Sequence, residues 1–192
     1  MFMGQSGTRP TCSANMKNKT LIKEIFDTDF DSSYQMSDPD AFKIRRACRG
    51  ILINENKIAL LNVTKHNYHK LPGGGIEKGE PLEEAFKREL LEEVGADCEI
   101  IDQGGIVVEW RDKFKLLQIS YVFLAKVIGE VKQNNLDQDE IDDGFELKWV
   151  PVEKLNEILE NDSPTNYEGN FIRMRDMSIV KFYKNSLKSY KV

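Results

Sequence analysis

The segment RELLEEVG, residues 88–95, puts Glu89, Glu92 and Glu93 into the last two turns of a predicted helix. A helix carries partial negative charge at its C-terminal end, so carboxylates there are repelled. At about 100° per residue the three fall within one arc roughly 100° wide. Glu89 and Glu93 are four apart and alike in charge, which disfavours the helix further. Only Glu92 has a basic residue one turn back, Arg88. The arc begins with Leu82 and Ala85, so it borders buried surface, where an uncompensated carboxylate cluster is costly. A bound divalent cation resolves the conflict. Ligands that are all oxygen call for a hard ion, Mg²⁺ or Mn²⁺. The lack of neighbouring Cys or His argues against zinc. A hard ion held by a few carboxylates usually shares its shell with phosphate oxygens, so the chemistry indicated is that of phosphates.

An acidic cluster alone is more often a solvated face. Two features upstream weigh against that here. Gly73, Gly74 and Gly75 free the backbone for close approach to a ligand. Glu80, just before Pro81, is a poor helix cap compared with Ser or Asp, so its charge is the better reason for it. A plain ion-binding scaffold for Mg²⁺ or Ca²⁺ would need neither feature.

Together these residues resemble the Nudix box. The pattern is Gly74, five residues, Glu80, seven residues, then Arg88-Glu89-Leu90-Leu91-Glu92-Glu93-Val94-Gly95. The last position, usually a larger aliphatic residue, is Ala96, a departure in packing alone. The resemblance implies a Nudix-type α/β/α sandwich with a mixed β-sheet. It implies that Glu89, Glu92 and Glu93 bind the metal, joined by the carbonyl of Gly73. Glu92 and Glu93 are expected as ligands and Glu89 as ligand or general base. Arg88 matches an arginine that orients the glutamates, and Glu80 a position that supports them. Gly74 and Gly75 are the candidate substrate-facing backbone. An acid outside the box often assists, and Glu140 is the candidate among the acids of residues 137–146.

The family cleaves a nucleoside diphosphate linked to another group, so the implied partner is a small nucleotide. Some subgroups carry a proline or tyrosine shortly after the box; residues 102–114 contain neither, and no coenzyme A motif is present. By elimination the expected substrate is a nucleoside triphosphate, oxidised or not, giving monophosphate and pyrophosphate. The alternatives are an ADP-ribose or nucleotide-sugar pyrophosphatase, and a Nudix-fold module that senses a nucleotide without cleaving it. Retention of all the box glutamates favours an enzyme. A homodimer is common in the family.

The elements that must hold these residues follow from periodicity. IRRACRGILI and IALLNV, parted by NENK, read as a β-hairpin. The box helix should begin at Pro81 and stop near Gly95, with Leu82, Phe86, Leu90 and Val94 as its buried stripe. Glu83–Lys87 and Glu84–Arg88 have the spacing of solvated ion pairs. Strands are expected over residues 99–109, 116–127 and 145–150, and helices over 152–160 and 168–188. NNLDQDEIDDG reads as an acidic loop. Residues 17–43 form a weakly patterned N-terminal extension to a domain over 44–190. Residues 1–16 read as a flexible leader, native or added, with Met16 as an alternative start.

At most one of Arg45 and Arg46 can meet the phosphates, because neighbours on a strand face opposite ways and a solvated arginine is the default; Arg46 is the candidate. Trp110 and Phe114 could stack on a base, and Tyr68 could line the substrate mouth. His66 and His69 have a spacing that rarely binds metal from a loop. The 192 residues suit one domain, and 40% hydrophobic content allows a real core. A net charge of −5 argues against nucleic-acid polymers and acidic membranes as partners. No run of about 20 apolar residues indicates a membrane span. Cys12, Cys48 and Cys98 fit neither a disulfide framework nor zinc, so reduced thiols in the cytoplasm are expected.

Overall fold

The hairpin forms as expected. In the computed structural model, which describes residues 19–190, β2 (Lys43–Asn54) and β3 (Lys57–Val63) are antiparallel and joined through Glu55, whose φ is 55°. The predicted leader and Cys12 lie outside the described residues. β4 (Tyr68–Lys70) pairs with β3 and leads into the glycine loop. A second hairpin joins β5 (Asp97–Arg111) to β6 (Leu116–Ile128), and β7 (Phe145–Pro151) returns beside β3. β1 (Thr20–Phe26), within the weakly patterned extension, pairs in parallel with β5. β2 pairs in parallel with β6 from Lys43–Leu116 to Ile53–Lys126. The seven strands make one mixed sheet, ordered β1-β5-β6-β2-β3-β4 with β7 against β3.

Strand alternation supplies two cores. On one face Cys48 and Leu52 pack with Phe86, Leu90 and Val94 of the box helix, α1 (Leu82–Glu93). Phe86 stacks on Phe123 at 4.6 Å, and a Cβ at Gly50 would lie 2.5 Å from Phe86 Cζ, so that close approach requires glycine. On the other face Ile51 and Ile53 pack against Phe171 and Ile179 of α4 (Tyr167–Phe182) and Leu155 and Leu159 of α3 (Leu155–Asn161). The result is the expected sandwich of helices around a mixed sheet.

α1 stops where the sequence indicates. Gly95 takes φ +73° and donates to Leu91 O, the arrangement of an αL cap, while Ala96 N bonds back to Leu90 O. The carbonyls of Glu92 and Glu93 accept from Asn135 N and Asn134 Nδ2, which satisfies part of the negative helix end.

Two expectations differ. The acidic loop contains a short helix, α2 (Gln138–Asp142), because Asp137 and Glu140 form a capping box across its first turn. The C-terminal helix breaks at Tyr183 before α5 (Lys184–Leu187). Tyr183 is drawn to β5, where its hydroxyl accepts from Gly104 N and donates to Asp102, and those bonds outweigh helix continuity.

Candidate active site

The glycine loop runs antiparallel along β2, pinned by Gly50 N to Pro72 O, Cys48 N to Gly74 O and Ile76 N to Arg46 O. This brings residues 73–75 against the last two turns of α1. Gly73 has φ +127°, and a Cβ there would sit 2.3 Å from Cys48 O, so no other residue fits. A Cβ on Gly74 would lie 2.2 Å from Glu89 Oε2. The second glycine thus opens the space that the Glu89 carboxylate fills.

Arg88 is the hub of the acidic cluster. Its Nε and Nη2 donate to the two oxygens of Glu80 at 2.9 and 3.1 Å. Nη1 donates to Glu89 at 2.9 Å and Glu92 at 3.0 Å, and Nη2 also reaches Gly75 O at 2.9 Å. Several acceptors on one planar fork fix three carboxylates and the loop relative to one another. The predicted Glu84–Arg88 pair is therefore absent, and no Glu83–Lys87 pair forms among the described residues. A solvated carboxylate cannot compete with that set. Glu80 also accepts from Glu77 N, and its bond from Arg88 holds its carboxyl below the usual range.

Glu93 is only 1% exposed. Its oxygens accept from Gly73 N at 2.5 Å and Lys70 Nζ at 2.8 Å. Burial lowers the Lys70 ammonium, against the pull of Glu93. Glu89, 8% exposed, has its carboxyl raised by burial and then by Glu93, against its bond from Arg88. Glu140, on α2, lies near enough to Glu93 to feel its charge. Burial pushes it up, the Asp137 amide opposes this, and Glu93 adds repulsion, bringing it to about 7.

Among the described residues, no three acidic, His or Cys side chains converge closely enough to enclose an ion. Arg88 engages Glu89 and Glu92, and Lys70 engages Glu93. The donor set nevertheless fits a hard divalent cation: three glutamates beside a glycine loop, two of them buried, with Glu89 raised by burial and by its neighbour Glu93.

The Arg46 side chain is not brought to this cluster. Its guanidinium lies over the Tyr121 ring, 5.3 Å from the centroid, on the face that bears α1. Arg45 and Arg49 point to the opposite face. His66 and His69 face different aspartates, Asp143 at 3.7 Å and Asp162 at 2.8 Å. Trp110 packs between Phe26 and Phe42 and donates to Glu24, while Phe114 is exposed beside Tyr167. Lys70 and Arg49 were missed. For Arg49 the signal was present, since in RRACRG it shares a face with Arg45.

A family model described as the NUDIX domain matches residues 43–169. The chain belongs to the Nudix family. An RNA pyrophosphohydrolase of Wolbachia pipientis subsp. Culex pipiens is 31% identical over 126 residues, covering 57% of this chain and 76% of that protein. An ADP-ribose pyrophosphatase of Methanocaldococcus jannaschii is 35% identical over 109 residues, covering 55% of this chain and 63% of that protein. The NUDIX hydrolase from Nitrosomonas europaea superposes with a TM-score of 0.57 at 16% identity, covering 75% of this chain and 90% of that one, a likeness of fold. As a Nudix hydrolase the chain cleaves phosphoric anhydride bonds in nucleoside-diphosphate-linked substrates. Nudix hydrolases generally work with divalent metals.

Proposed function

We propose that this Nudix hydrolase cleaves a nucleoside triphosphate, oxidised or not, to a monophosphate and pyrophosphate with Mg²⁺ or Mn²⁺. The observation that carries the reading is the Arg88 hub, which orients Glu80, Glu89, Glu92 and Gly75 around one locus. Glu89, Glu92 and Glu93 would hold the metal, with the Gly73 carbonyl as a further donor. When bound, such an ion polarises phosphate oxygens and makes water a stronger nucleophile at neutral pH. Arg88 and Glu80 keep the carboxylates in register. Gly74 and Gly75 let the phosphates approach the backbone. Glu140, with its carboxyl near 7, is suited to take a proton at neutral pH.

The names of the two relatives divide between RNA pyrophosphohydrolase and ADP-ribose pyrophosphatase. A triphosphate carried on RNA is the second reading, supported by the Wolbachia relative and opposed by the net charge of −5. Cys48 and Cys98 are buried free thiols, which suits a reducing cytoplasm.

The test is product identification on a panel of nucleoside triphosphates, 5′-triphosphorylated RNA, ADP-ribose, dinucleotides and nucleotide sugars, with Mg²⁺ and then with EDTA. Metal-dependent release of pyrophosphate from a triphosphate is expected. Glu92→Gln should fold normally and lose roughly 100-fold or more in turnover, as loss of a charged metal ligand requires. Intact turnover in Glu92→Gln would refute the site.

A further inference from the structure

Beneath α4 the sheet buries an unusual amount of charge. Arg49 on β2 and Arg111 on β5 face Arg175 of α4, and all three are nearly inaccessible. Arg45 crosses the rim of the same face and donates to Gln118. The acids that face them are already engaged. Glu109 accepts from Arg111 and Gln118, Asp176 from Arg175 and from Leu71 N, and Glu168 from Arg111. Four buried N–H positions still have no acceptor: Arg49 Nε and Nη1, Arg111 Nε and Arg175 Nη1. Such orphans are rare because each forfeits its hydration. Arg49, 6% exposed, has two of them and is driven below its ordinary value by burial and by Arg175.

The cluster adjoins the acidic site through the glycine loop. A Cβ on Gly73 would lie 3.0 Å from Arg49 Cα, and one on Gly75 would lie 3.4 Å from Arg45 Nη2. Gly75 O accepts from Arg88 on the other side. Arg49 is in electrostatic reach of Glu93 and Glu89 as well as of Asp176. One strand of backbone therefore separates the carboxylates from several guanidinium donors in want of an oxygen ligand.

We propose that Arg49, with Arg45, Arg111 and Arg175, forms an anion subsite for a terminal phosphate of the substrate. This rests on the hydrolase reading above and narrows it. A terminal phosphate carries close to two negative charges and three acceptor oxygens. A bridging phosphate, flanked by ester or anhydride bonds on both sides, carries one charge and fewer free oxygens. The unfilled donors match the first, so the substrate class is a 5′-triphosphate end rather than a diphosphate capped by a sugar.

The test is calorimetric titration of the metal-free protein in EDTA with inorganic tripolyphosphate and, separately, with ADP-ribose. The wild type should bind tripolyphosphate at least about tenfold more tightly than ADP-ribose, since charge-assisted bonds to guanidinium are the strong ones. Arg49→Met and the rim variant Arg45→Met should each lose about tenfold in tripolyphosphate affinity, the cost of one such bond. Lys126→Met, on the exposed Lys126–Glu99 pair, should lose nothing. Arg49→Met should also melt no lower than the wild type without ligand, because it removes orphaned buried donors. Equal or tighter binding of ADP-ribose, no tripolyphosphate binding by the wild type, or unchanged affinity in both arginine variants would overturn the proposal. Metal-dependent hydrolysis alongside any of those results would leave the hydrolase reading standing. Tripolyphosphate binding without hydrolysis of any substrate would leave the subsite standing and remove the enzyme reading.

Discussion

Arg88 is where the acidic site gains its geometry, because one guanidinium meets three carboxylates and a carbonyl. A lysine has the charge but not the planar fork. Arg88→Lys should therefore fold normally and lose roughly 10–100-fold in kcat, the usual cost of freeing a ligand from its support. Circular dichroism and steady-state kinetics on one preparation would check this; wild-type kcat would deny Arg88 its orienting role. Gly74→Ala is a steric counterpart. Its new methyl would occupy the position of the Glu89 carboxylate, 2.2 Å away, so turnover should fall while charge is unchanged. The clustering of the glutamates with Arg88 and Glu80 was legible in the sequence because short spacing along the helix and the loop just before it sets that cluster. Lys70 was not, because its partner Glu93 is 23 residues away and meets it only once the loop folds back.

At the scale of elements, the box helix was readable from its 3.6-residue period and its glycine stop. Phe86→Ala should cost about 3–5 kcal/mol in chemical denaturation, the usual loss for a large buried aromatic. β1 was not readable, because TLIKEIF is an edge strand with one face half exposed and carries no clean alternation. The segment after β1 is tied down by Asp112 in the β5–β6 turn, which accepts from Tyr34 and Ser37 across long sequence separation. Burial alone would raise the Asp112 carboxyl, but its bonds from Tyr34, Lys115 and Ser37 prevail and bring it to about 2. A depressed value in the folded state means that this stabilisation is complete above about pH 4, the ordinary aspartate range, and is lost as pH falls toward 2. Urea midpoints measured from pH 5 to pH 2 should fall less steeply for Asp112→Asn than for the wild type. Parallel slopes would show that Asp112 does not anchor the segment.

For the whole molecule, the sheet separates two kinds of charge that the proposed substrate would span. Glutamates gather beside α1, arginines beneath α4, and the glycine loop lies between them. The two-layer architecture was legible from the order of strands and helices, but the arginine layer was not. Sequence reading weighed Arg45 and Arg46 as neighbours on one strand, and only the packing of α4 against the sheet brings Arg175 to Arg49. Metal binding should stabilise the fold as a unit. At a hundred times its Kd, Mg²⁺ adds about 2.7 kcal/mol, which raises Tm by roughly 5–10 °C in a chain of this size. Glu92→Gln should reduce that shift, measured by calorimetry in Mg²⁺ against EDTA.

A crystal structure with Mg²⁺ and a non-hydrolysable nucleoside triphosphate tests the central claim most directly. The expected result is an ion about 2.0–2.1 Å from carboxylate oxygens of Glu89, Glu92 and Glu93, with Lys70 released from Glu93 and Arg88 still on Glu80. Glutamates still paired with Arg88 and Lys70, with the ion and the phosphates bound elsewhere, would contradict it.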